Sequence, residues 1–401
     1  MSLPLEGVKV LDLSQVMAGP YCTMMLGDMG AEVIKIESFP GGDTSRRFDP
    51  FVNGESYCFA VLNRNKKSVA LDLKDPRGKA IFMKLAAQAD VIVENFRPDV
   101  KARLGVDYAA VKAFNPAVVY CSISGFGQTG PYGKKGGFDI IAQGVTGIMR
   151  MTGEPGGRPA KVGIAMNDLC AGATALSAIL GAYIKRLKTG EGQYVETSLV
   201  EAGLAWTFWE AGAWFGAGEL PLATGTRHRR STPYQAYQTQ DGYVTVGANN
   251  EKLWTAFCLK VVDKPEWLDD PRFKGLQNRL QVIDELERLI EAVLNTQPTA
   301  YWVEKLDAAG VPGGPVYTYD QALADPHIQA RNMVVEIDHP KMGRIKMLGL
   351  PVKSSGELAA IRTPAPWLGQ HTDELLTRLG LPQPEIQTLH TENVVYDKYH
   401  T

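Results

Sequence analysis

Asp168 is the side chain of this sequence that best combines a reactive group with a position suited to chemistry. It stands in K-V-G-I-A-M-N-D-L-C-A-G, directly before the apolar stretch Leu169–Leu187. That stretch has helical character, so Asp168 is predicted at or beside the N-cap, near unpaired N–H groups and the positive end of the helix dipole. We expect this environment to keep the carboxylate ionised, as attack on an activated acyl carbon requires. The alternative role is helix capping alone.

The cysteines give no sign of a second reactive centre. Cys22, Cys58, Cys121, Cys170 and Cys258 are odd in number and never have C-x-x-C spacing, which argues against a disulfide framework or a zinc site. Cys170 is close to Asp168, but no histidine nearby could act as its base. We therefore expect reduced, buried thiols, a core role for Cys170 and no bound metal.

The composition excludes several classes of function. The chain has 401 residues, 45% of them hydrophobic and 21% charged, with a formal net charge of −2. These values are typical of a globular protein of about two domains, and they favour neither nucleic acid nor an anionic membrane as a partner. No apolar run is long enough to span a bilayer, and residues 1–6 lack the features of a signal peptide, so we expect a cytoplasmic protein.

Short β-rich runs alternate with helical segments in the first half of the chain. This order predicts a parallel sheet with helices on both faces, and we expect residues 1–200 to form the first part of a large Rossmann-like α/β domain. Helices are predicted from about Pro20, from the N-cap Asp75, and over Leu169–Leu187. The predicted strands are Val8–Leu13, Glu32–Glu37, Ser68–Leu73, Val91–Phe96, Ala117–Ile123 and Gln193–Leu199.

Ligands of parallel sheets bind beyond the carboxyl ends of the strands. That rule indicates three loops, at Ser14–Ala18, Asn95–Arg97 and Ser122–Thr129. No G-x-G-x-x-G follows the first strand, which argues against a dinucleotide site of the usual kind.

The second half of the chain has a different pattern. We expect a smaller α+β domain over residues 225–325 and a return segment, residues 330–401, that completes the large domain. The stretch Trp206–Trp214 is interpreted as a buried helix, in the core or at an oligomer interface. Tyr234–Thr239 and Tyr243–Gly247 predict a hairpin. Further helices are expected at Leu253–Val261, Arg279–Asn295, Ala300–Ala309 and Thr372–Leu379.

Several motifs in one order resemble the class III CoA-transferases. They are V-L-D-L-S-Q-V-M-A-G-P, G-A-E-V-I-K-I-E, N-R-N-K-K-S-V-A-L-D-L-K, V-I-V-E-N-F-R-P and the Asp168 segment. The likeness covers essentially the whole chain. The family also includes formyl-CoA and carnitine CoA-transferases and the α-methylacyl-CoA racemases. The resemblance implies an interlocked homodimer with the active site where the two domains meet.

The resemblance makes Asp168 the family's catalytic aspartate. It implies that Asp168 attacks a donor acyl-CoA to form a mixed anhydride, which CoA converts into an aspartyl-CoA thioester that an acceptor carboxylate then attacks. Coenzyme A is thus substrate and product, and no permanently bound cofactor is required. The enzyme would chiefly exclude water and stabilise oxyanions.

The resemblance also implies a CoA site, residue by residue. Solvated surface charge is the alternative role of its arginines. The positions that match are Met17, Ala18, Leu71, Lys74, Asn95, Phe96, Arg97 and Arg103.

Four positions bear on how far this match extends. The formyl-CoA enzymes have Arg at Ser38 and Lys at Gly136, so one phosphate contact is either absent here or supplied by Lys134, Lys135 or Arg46. Phe138 and Asp139 stand where those enzymes have Tyr and Glu near the acyl group. Asp139 could equally cap the helix that runs toward Gly144.

Two other functions share the fold. A racemase needs an acid–base pair around the α-carbon. In the racemases of this family a histidine supplies one member of the pair, and this chain has Phe138 at that position, which cannot act as an acid or a base. A non-catalytic CoA-binding protein would not need Asp168. CoA transfer therefore remains the favoured prediction.

The acceptor is suggested by a basic stretch before Pro233. Arg227, His228 and Arg229 suit a second carboxylate, and this region resembles succinyl-CoA:glutarate-type transferases. We expect succinyl-CoA as donor and a dicarboxylic acid as acceptor. A dimer interface or CoA phosphates are alternative partners for these charges.

Overall fold

The computed structural model describes residues 2–399, and the chain forms two compact units. The first unit comprises Met1–Ile148, Lys161–Glu219 and His327–Thr401, and the second comprises Met149–Ala160 and Leu220–Pro326. The short segment Met149–Ala160 thus joins the second unit although it precedes Asp168 in the chain.

A seven-stranded sheet organises the first unit. The strands of both units, in chain order, are β1 (Lys9–Asp12), β2 (Glu32–Glu37), β3 (Phe51–Val52), β4 (Glu55–Ser56), β5 (Lys66–Leu71), β6 (Val91–Glu94), β7 (Val119–Ser124), β8 (Gln193–Ser198), β9 (Tyr234–Gln238), β10 (Tyr243–Gly247), β11 (Gly313–Pro315), β12 (Val334–His339), β13 (Gly343–Leu348) and β14 (Val395–Tyr396). The order in the seven-stranded sheet is β14-β5-β2-β1-β6-β7-β8, in which the edge strand β14 is antiparallel to β5 and all other pairs are parallel.

Two hydrophobic clusters cover the two faces of this sheet. Strand residues alternate between them, so Leu11 belongs to one cluster and Val10 to the other. The helices are α1 (Ala18–Asp28), α2 (Tyr57–Leu62), α3 (Pro76–Ala86), α4 (Pro98–Leu104), α5 (Tyr108–Lys112), α6 (Asp139–Val145), α7 (Ile148–Met151), α8 (Met166–Thr189), α9 (Leu199–Ala205), α10 (Phe208–Ala217), α11 (Glu251–Ala256), α12 (Leu276–Gln281), α13 (Ile283–Leu294), α14 (Thr299–Ala309), α15 (Tyr319–Ala324), α16 (Pro326–Ala330), α17 (Thr372–Arg378) and α18 (Gln383–Thr391).

The predicted α/β pattern is confirmed as a large parallel sheet with helices on both faces. Asp75 caps α3 by accepting the N–H of Arg77, as predicted, and Gly190 ends α8 in the left-handed conformation. The helix expected from about Pro20 begins earlier, at Ala18.

The second unit has its own small sheet and its own core. Strands β9 and β10 form the predicted antiparallel hairpin, and β11 pairs with β10. The helix expected over Arg279–Asn295 is instead two helices, α12 and α13, which meet at Val282. The buried residues include Trp254, Trp302 and Phe273.

A position of Trp206–Trp214 in the core is wrong, which leaves an oligomer interface as the prediction for this stretch. None of the residues of α10 is buried, and Trp209 and Phe215 are 78% and 84% exposed. Four of the cysteines are buried, but Cys58 is exposed.

Within residues 2–399, no helix has both the length and the apolar character needed to cross a membrane. The same residues contain no group of three or more His, Cys, Asp or Glu side chains arranged to hold a metal ion.

Candidate functional site

Asp168 is the third residue of α8 and is partly buried. The N-cap position is held by Ala165, whose side chain cannot cap the helix, so Asp168 lies inside the first turn. Burial raises the pKa of Asp168, and the negative charge of Asp139 raises it further, to about 7. The helix terminus was expected to keep this carboxylate ionised, but desolvation and a like charge raise its pKa, so that it is only partly ionised at neutral pH.

Asp139 binds the segment that leads into α8. One carboxylate oxygen, Oδ1, accepts the backbone N–H of Asn167 at 2.9 Å, and Oδ2 accepts the side-chain amide of Gln143 at 2.7 Å. Phe138, which is 73% exposed, occupies the N-cap position of α6. Asp139 therefore does not cap its own helix; it satisfies one of the unpaired N–H groups of α8.

Two buried amides fix the path of the chain into α8. Gln143 accepts the N–H of Val162 at 2.9 Å, and Asn167 donates to the carbonyl of Leu199 at 3.0 Å. Gly203 allows this fit, because a Cβ at that position would lie 2.0 Å from Asn167 Nδ2. Asp168 is thus carried by a backbone that α6 and α9 both hold.

Side chains hold the loop that follows β1. Asn95 bonds both backbone groups of Gln15: its Oδ1 accepts the N–H at 2.9 Å, and its Nδ2 donates to the carbonyl at 2.8 Å. Lys35 donates to the carbonyl of Ser14 at 2.7 Å. The loop Ser14–Ala18 is therefore fixed by residues of two neighbouring strand segments.

Val16 has a strained backbone in this loop. Its φ of 71° is in the left-handed region, which costs a β-branched residue on the order of 1–3 kcal/mol. Asp43 accepts the N–H of Val16 at 3.0 Å. Met17 follows as the N-cap residue of α1, and a Cβ on Gly172 of α8 would lie 2.6 Å from the carbonyl oxygen of Ala18. The loop consequently packs one helical turn from Asp168.

A buried charge network lies beneath the loop. The carboxylate of Asp12 is 2.9 Å from Lys66 Nζ and 3.7 Å from Lys35 Nζ, and all three side chains are fully buried. Burial alone would raise the pKa of Asp12, but the two lysines outweigh it and lower that pKa strongly. Lys35 also pairs with Asp43 at 2.9 Å. These groups stay ionised because each has an opposite charge in contact.

A second buried pair supports the loop after β6. Glu94 is 2.8 Å from Lys101 Nζ, and its other oxygen accepts the N–H of Phe96 at 2.8 Å. Burial raises the pKa of Glu94 despite Lys101. Phe96 itself packs against the hydrophobic core, which leaves Arg97 as the exposed side chain of the predicted Asn95–Arg97 loop.

Arg97 occupies space that a side chain at Gly136 would need. A Cβ on Gly136 would lie 2.7 Å from Arg97 Nη2. Arg46, one of the three residues considered as a replacement cation, is not available, because it forms a buried pair with Glu37 at 2.7 Å. Lys135 lies over the ring of Tyr132, at 3.7 Å from its centroid.

The other predicted CoA contacts differ in accessibility. Leu71 is fully buried in the core and pairs with Val395, so its side chain packs rather than faces a ligand. Lys74 is exposed just after β5. Arg103 is also exposed and lies 3.8 Å from Asp99 on the same helix.

The basic stretch lies in the second unit, and its members differ. Arg227 forms ion pairs with Asp284, at 2.6 Å, and with Glu287, so its charge is neutralised within the chain. The ring of His228 packs edge-on against Tyr234. Arg229 is exposed.

Sequence reasoning missed the residues that hold the site: Asp43, Glu94, Lys101, Gln143 and Asn167. Asn167 had an available signal, since it adjoins Asp168 in a run of otherwise small or apolar residues. The bonds of Asp43 to Val16 and of Gln143 to Val162 join groups 27 and 19 residues apart, so no local pattern indicates them.

Comparison with known proteins supplies the family context. Residues 5–372 match the model of CoA-transferase family III. The chain is 39% identical to succinyl-CoA:glutarate CoA-transferase of Homo sapiens over 93% of this chain and 85% of that protein. It is 39% identical to acetyl-CoA:oxalate CoA-transferase of Acetobacter aceti over 88% and 90%. A solved CaiB/BaiF family protein of Brucella suis is similar, with a TM-score of 0.85 and 33% identity over 94% of this chain and 100% of that one.

Proposed function

Because this chain belongs to CoA-transferase family III, we propose that it transfers CoA from succinyl-CoA to a dicarboxylic acid through Asp168. That the protein is a CoA-transferase follows from its family and from relatives that match most of its length. The single observation that carries the aspartyl mechanism is the partly buried carboxylate of Asp168, held beside a second carboxylate at the start of α8.

The proposed reaction has four transfers. Asp168 attacks the thioester carbon of succinyl-CoA, which releases CoA thiolate and leaves a succinyl–aspartyl anhydride. The thiolate attacks the Asp168 carbonyl and releases succinate, leaving an aspartyl-CoA thioester. The acceptor carboxylate displaces CoA to form a new anhydride, and CoA attacks its acceptor carbonyl to give product and free Asp168. Each step exchanges one acyl bond for another, so no water or external energy source enters.

The surroundings of Asp168 favour this chemistry. A carboxylate with a pKa of about 7 is more basic, and so more nucleophilic, than an ordinary one, yet is still about half ionised at neutral pH. Acylation removes its negative charge. The repulsion from Asp139 and the cost of desolvation are then relieved, which favours the covalent intermediates relative to the free carboxylate.

We propose that CoA binds along the carboxyl edge of the large sheet. The loop residues Met17 and Ala18 pack near α8, and Lys74, Arg97 and Arg103 are exposed cations suited to phosphates. Arg97 fills the space over Gly136, and we propose that it supplies the charge that other members of the family carry at that position. Asn95 bonds the backbone of Gln15 through both polar atoms of its side chain.

For the acceptor, we propose Arg229 as the carboxylate-binding cation of the basic stretch. Arg227 is committed to Asp284 and Glu287, whereas Arg229 is exposed. The dicarboxylate class itself is supported by the relatives, which are named for glutarate and oxalate. Replacement of Arg229 by Gln should raise the acceptor KM, whereas the same change at Arg227 should lower stability.

We propose that two copies associate as an interlocked homodimer. Helix α10 exposes half or more of each of four aromatic side chains, Phe208, Trp209, Trp214 and Phe215. Contiguous exposed apolar surface is typical of protein interfaces. Light scattering should give a dimer mass for the wild type and a smaller mass for Phe215→Glu.

We also propose a cytoplasmic location, which the five cysteines without disulfides support.

One experiment separates the proposed function from its alternatives. The protein is incubated with succinyl-CoA and a panel of mono- and dicarboxylic acids, and acyl-CoA products are identified by mass spectrometry beside Asp168→Ala. New acyl-CoA species that disappear in the variant support transfer through Asp168. Exchange of an α-proton for deuterium without CoA transfer would indicate a racemase. CoA binding without either reaction would indicate a binding protein.

A further inference from the structure

Both polar atoms of the Asn95 side chain bond the backbone of Gln15. Its Oδ1 and Nδ2 bond the N–H and the carbonyl of Gln15 at 2.9 Å and 2.8 Å. The residue lies 80 positions from Gln15 in the chain, at the end of the adjacent strand β6. Its side chain therefore acts as a bridge between two strand-end loops.

Asp43 makes the second bridge to the same loop. Its Oδ1 accepts the N–H of Val16 at 3.0 Å and that of Ser45 at 2.8 Å, while its other oxygen lies 2.9 Å from Lys35 Nζ. Asp43 is buried, so these contacts are shielded from water. The carboxylate thus holds Val16 from the side of β2.

Between these two bridges the backbone of Val16 has an unfavourable, left-handed conformation. Val16 has a φ of 71°, and a β-branched residue does not adopt this conformation without external constraint. The turn directs Met17 and Ala18 into α1, where the carbonyl of Ala18 closely approaches Gly172. Gly172 is four residues after Asp168 in α8, so both lie on one face of that helix.

We propose that Asn95 and Asp43 are positioning residues that hold Val16 in the left-handed conformation and thereby set the Ser14–Ala18 loop against the helix of Asp168. The inference rests on the proposed function, since it assigns the loop to the CoA-binding wall. Each side chain acts through the backbone of the loop, and loss of either lets Val16 relax and moves Met17 and Ala18 away from α8.

A double-mutant cycle tests the proposal. Asn95→Ala is expected to raise the KM for succinyl-CoA and the Kd for CoA about tenfold, with the KM for the acceptor changed less than twofold. Val16→Gly is the second single variant of the cycle, because glycine adopts the left-handed turn without strain, and its KM and Kd are measured beside those of the wild type. In the double variant, Val16→Gly should recover most of the affinity that Asn95→Ala loses.

Asn115 provides the matched control. It is a buried asparagine whose amide donates to the carbonyls of Ala86 and Ala89 at 2.9 Å and 2.8 Å, away from the loop. Asn115→Ala should lower the melting temperature but leave the KM for succinyl-CoA unchanged. If Asn95→Ala behaves in the same way, the positioning role is wrong.

Further outcomes are equally decisive. Failure of Val16→Gly to restore CoA affinity overturns the proposal, and so does an equal effect of Asn95→Ala on both substrates. If Asn95→Ala does not fold, Asn95→Asp is used instead, which keeps an acceptor for the Gln15 N–H and replaces the donor to the Gln15 carbonyl with a negatively charged oxygen. Calorimetry measures the Kd for CoA without turnover, so it tests the role of Asn95 even if the wild type does not exchange CoA. Absence of CoA exchange in the wild type would refute the proposed function instead.

Discussion

Asp12 and Asp168 are both shielded aspartates of the large unit, and their surroundings are opposite. Asp12 contacts two buried lysines, which outweigh burial and lower its pKa strongly. Asp168 has a carboxylate as its charged neighbour, and burial together with Asp139 raises its pKa to about 7. The same side chain is thereby a fixed anion at one position and a basic, reactive group at the other.

Asp12 belongs to a supporting charge network, whereas Asp168 is the proposed nucleophile. The lysines around Asp12 and Asp43 stabilise the loop Ser14–Ala18, whereas the surroundings of Asp168 destabilise its anion.

The largest effect is expected from Asp168→Asn. An amide cannot form the anhydride, so kcat for CoA transfer should fall by about 10⁴-fold or more, as for loss of other covalent nucleophiles. Circular dichroism should be unchanged and CoA should still bind. Slow deamidation would restore the aspartate, so the assay is completed within minutes of purification and repeated with Asp168→Ala. Turnover that survives in both variants contradicts the nucleophile role.

The matching change at Asp12 should act on stability. Asp12→Asn leaves Lys35 and Lys66 buried without their shared partner, which is expected to cost about 3–5 kcal/mol of unfolding free energy. Asp99→Asn is the control, because Asp99 pairs with Arg103 on the surface and should cost less than about 1 kcal/mol. Urea unfolding measures both. Equal losses would remove the distinction between buried and exposed pairs.

Much of the sheet could be predicted from the sequence, because local patterns determine it. The strand β2 is found at Glu32–Glu37 as predicted, and the hairpin of β9 and β10 follows from a turn of three residues between alternating strands. Asp75 at the start of α3 was likewise recognisable from its neighbour Pro76. Such signals lie within a few residues of the element they specify.

The errors all depend on tertiary packing. The pKa of Asp168 was misjudged because desolvation and Asp139, 29 residues away, are not visible in the local sequence. A core position was considered for Trp209 because the composition of Trp206–Trp214 cannot distinguish a core from an exposed face. The contact of Asp43 with Val16 spans 27 residues, so only the folded loop reveals it.

The pKa of Asp168 also predicts how stability depends on pH. The carboxyl group binds its proton more tightly in the folded chain than in the unfolded one, where its pKa is near 4. The stabilising protonated form is complete below pH 4 and is lost as the pH rises through about 7. Asp168→Asn should therefore match the wild type near pH 4 and exceed it by about 2–4 kcal/mol at pH 8. Equal unfolding free energies at pH 8 would contradict this.

The smallest expected effect tests the contribution of Asp139. Asp139→Asn removes a negative charge but keeps an oxygen that can accept the N–H of Asn167. Burial still raises the pKa of Asp168, so that pKa should fall only part of the way to its usual value, and the acid limb of the kcat/KM profile should move to lower pH. The fraction of maximal activity retained at pH 6 should rise about two- to fivefold, because more Asp168 is ionised there. Glu201, an acidic residue in the first turn of α9, allows a control, since Glu201→Gln should leave the limb in place. If the limb does not move in Asp139→Asn, desolvation alone raises the pKa of Asp168, the proposed nucleophile. Asp168 would then differ from Asp12 because it lacks neighbouring lysines, and not because it has a neighbouring carboxylate.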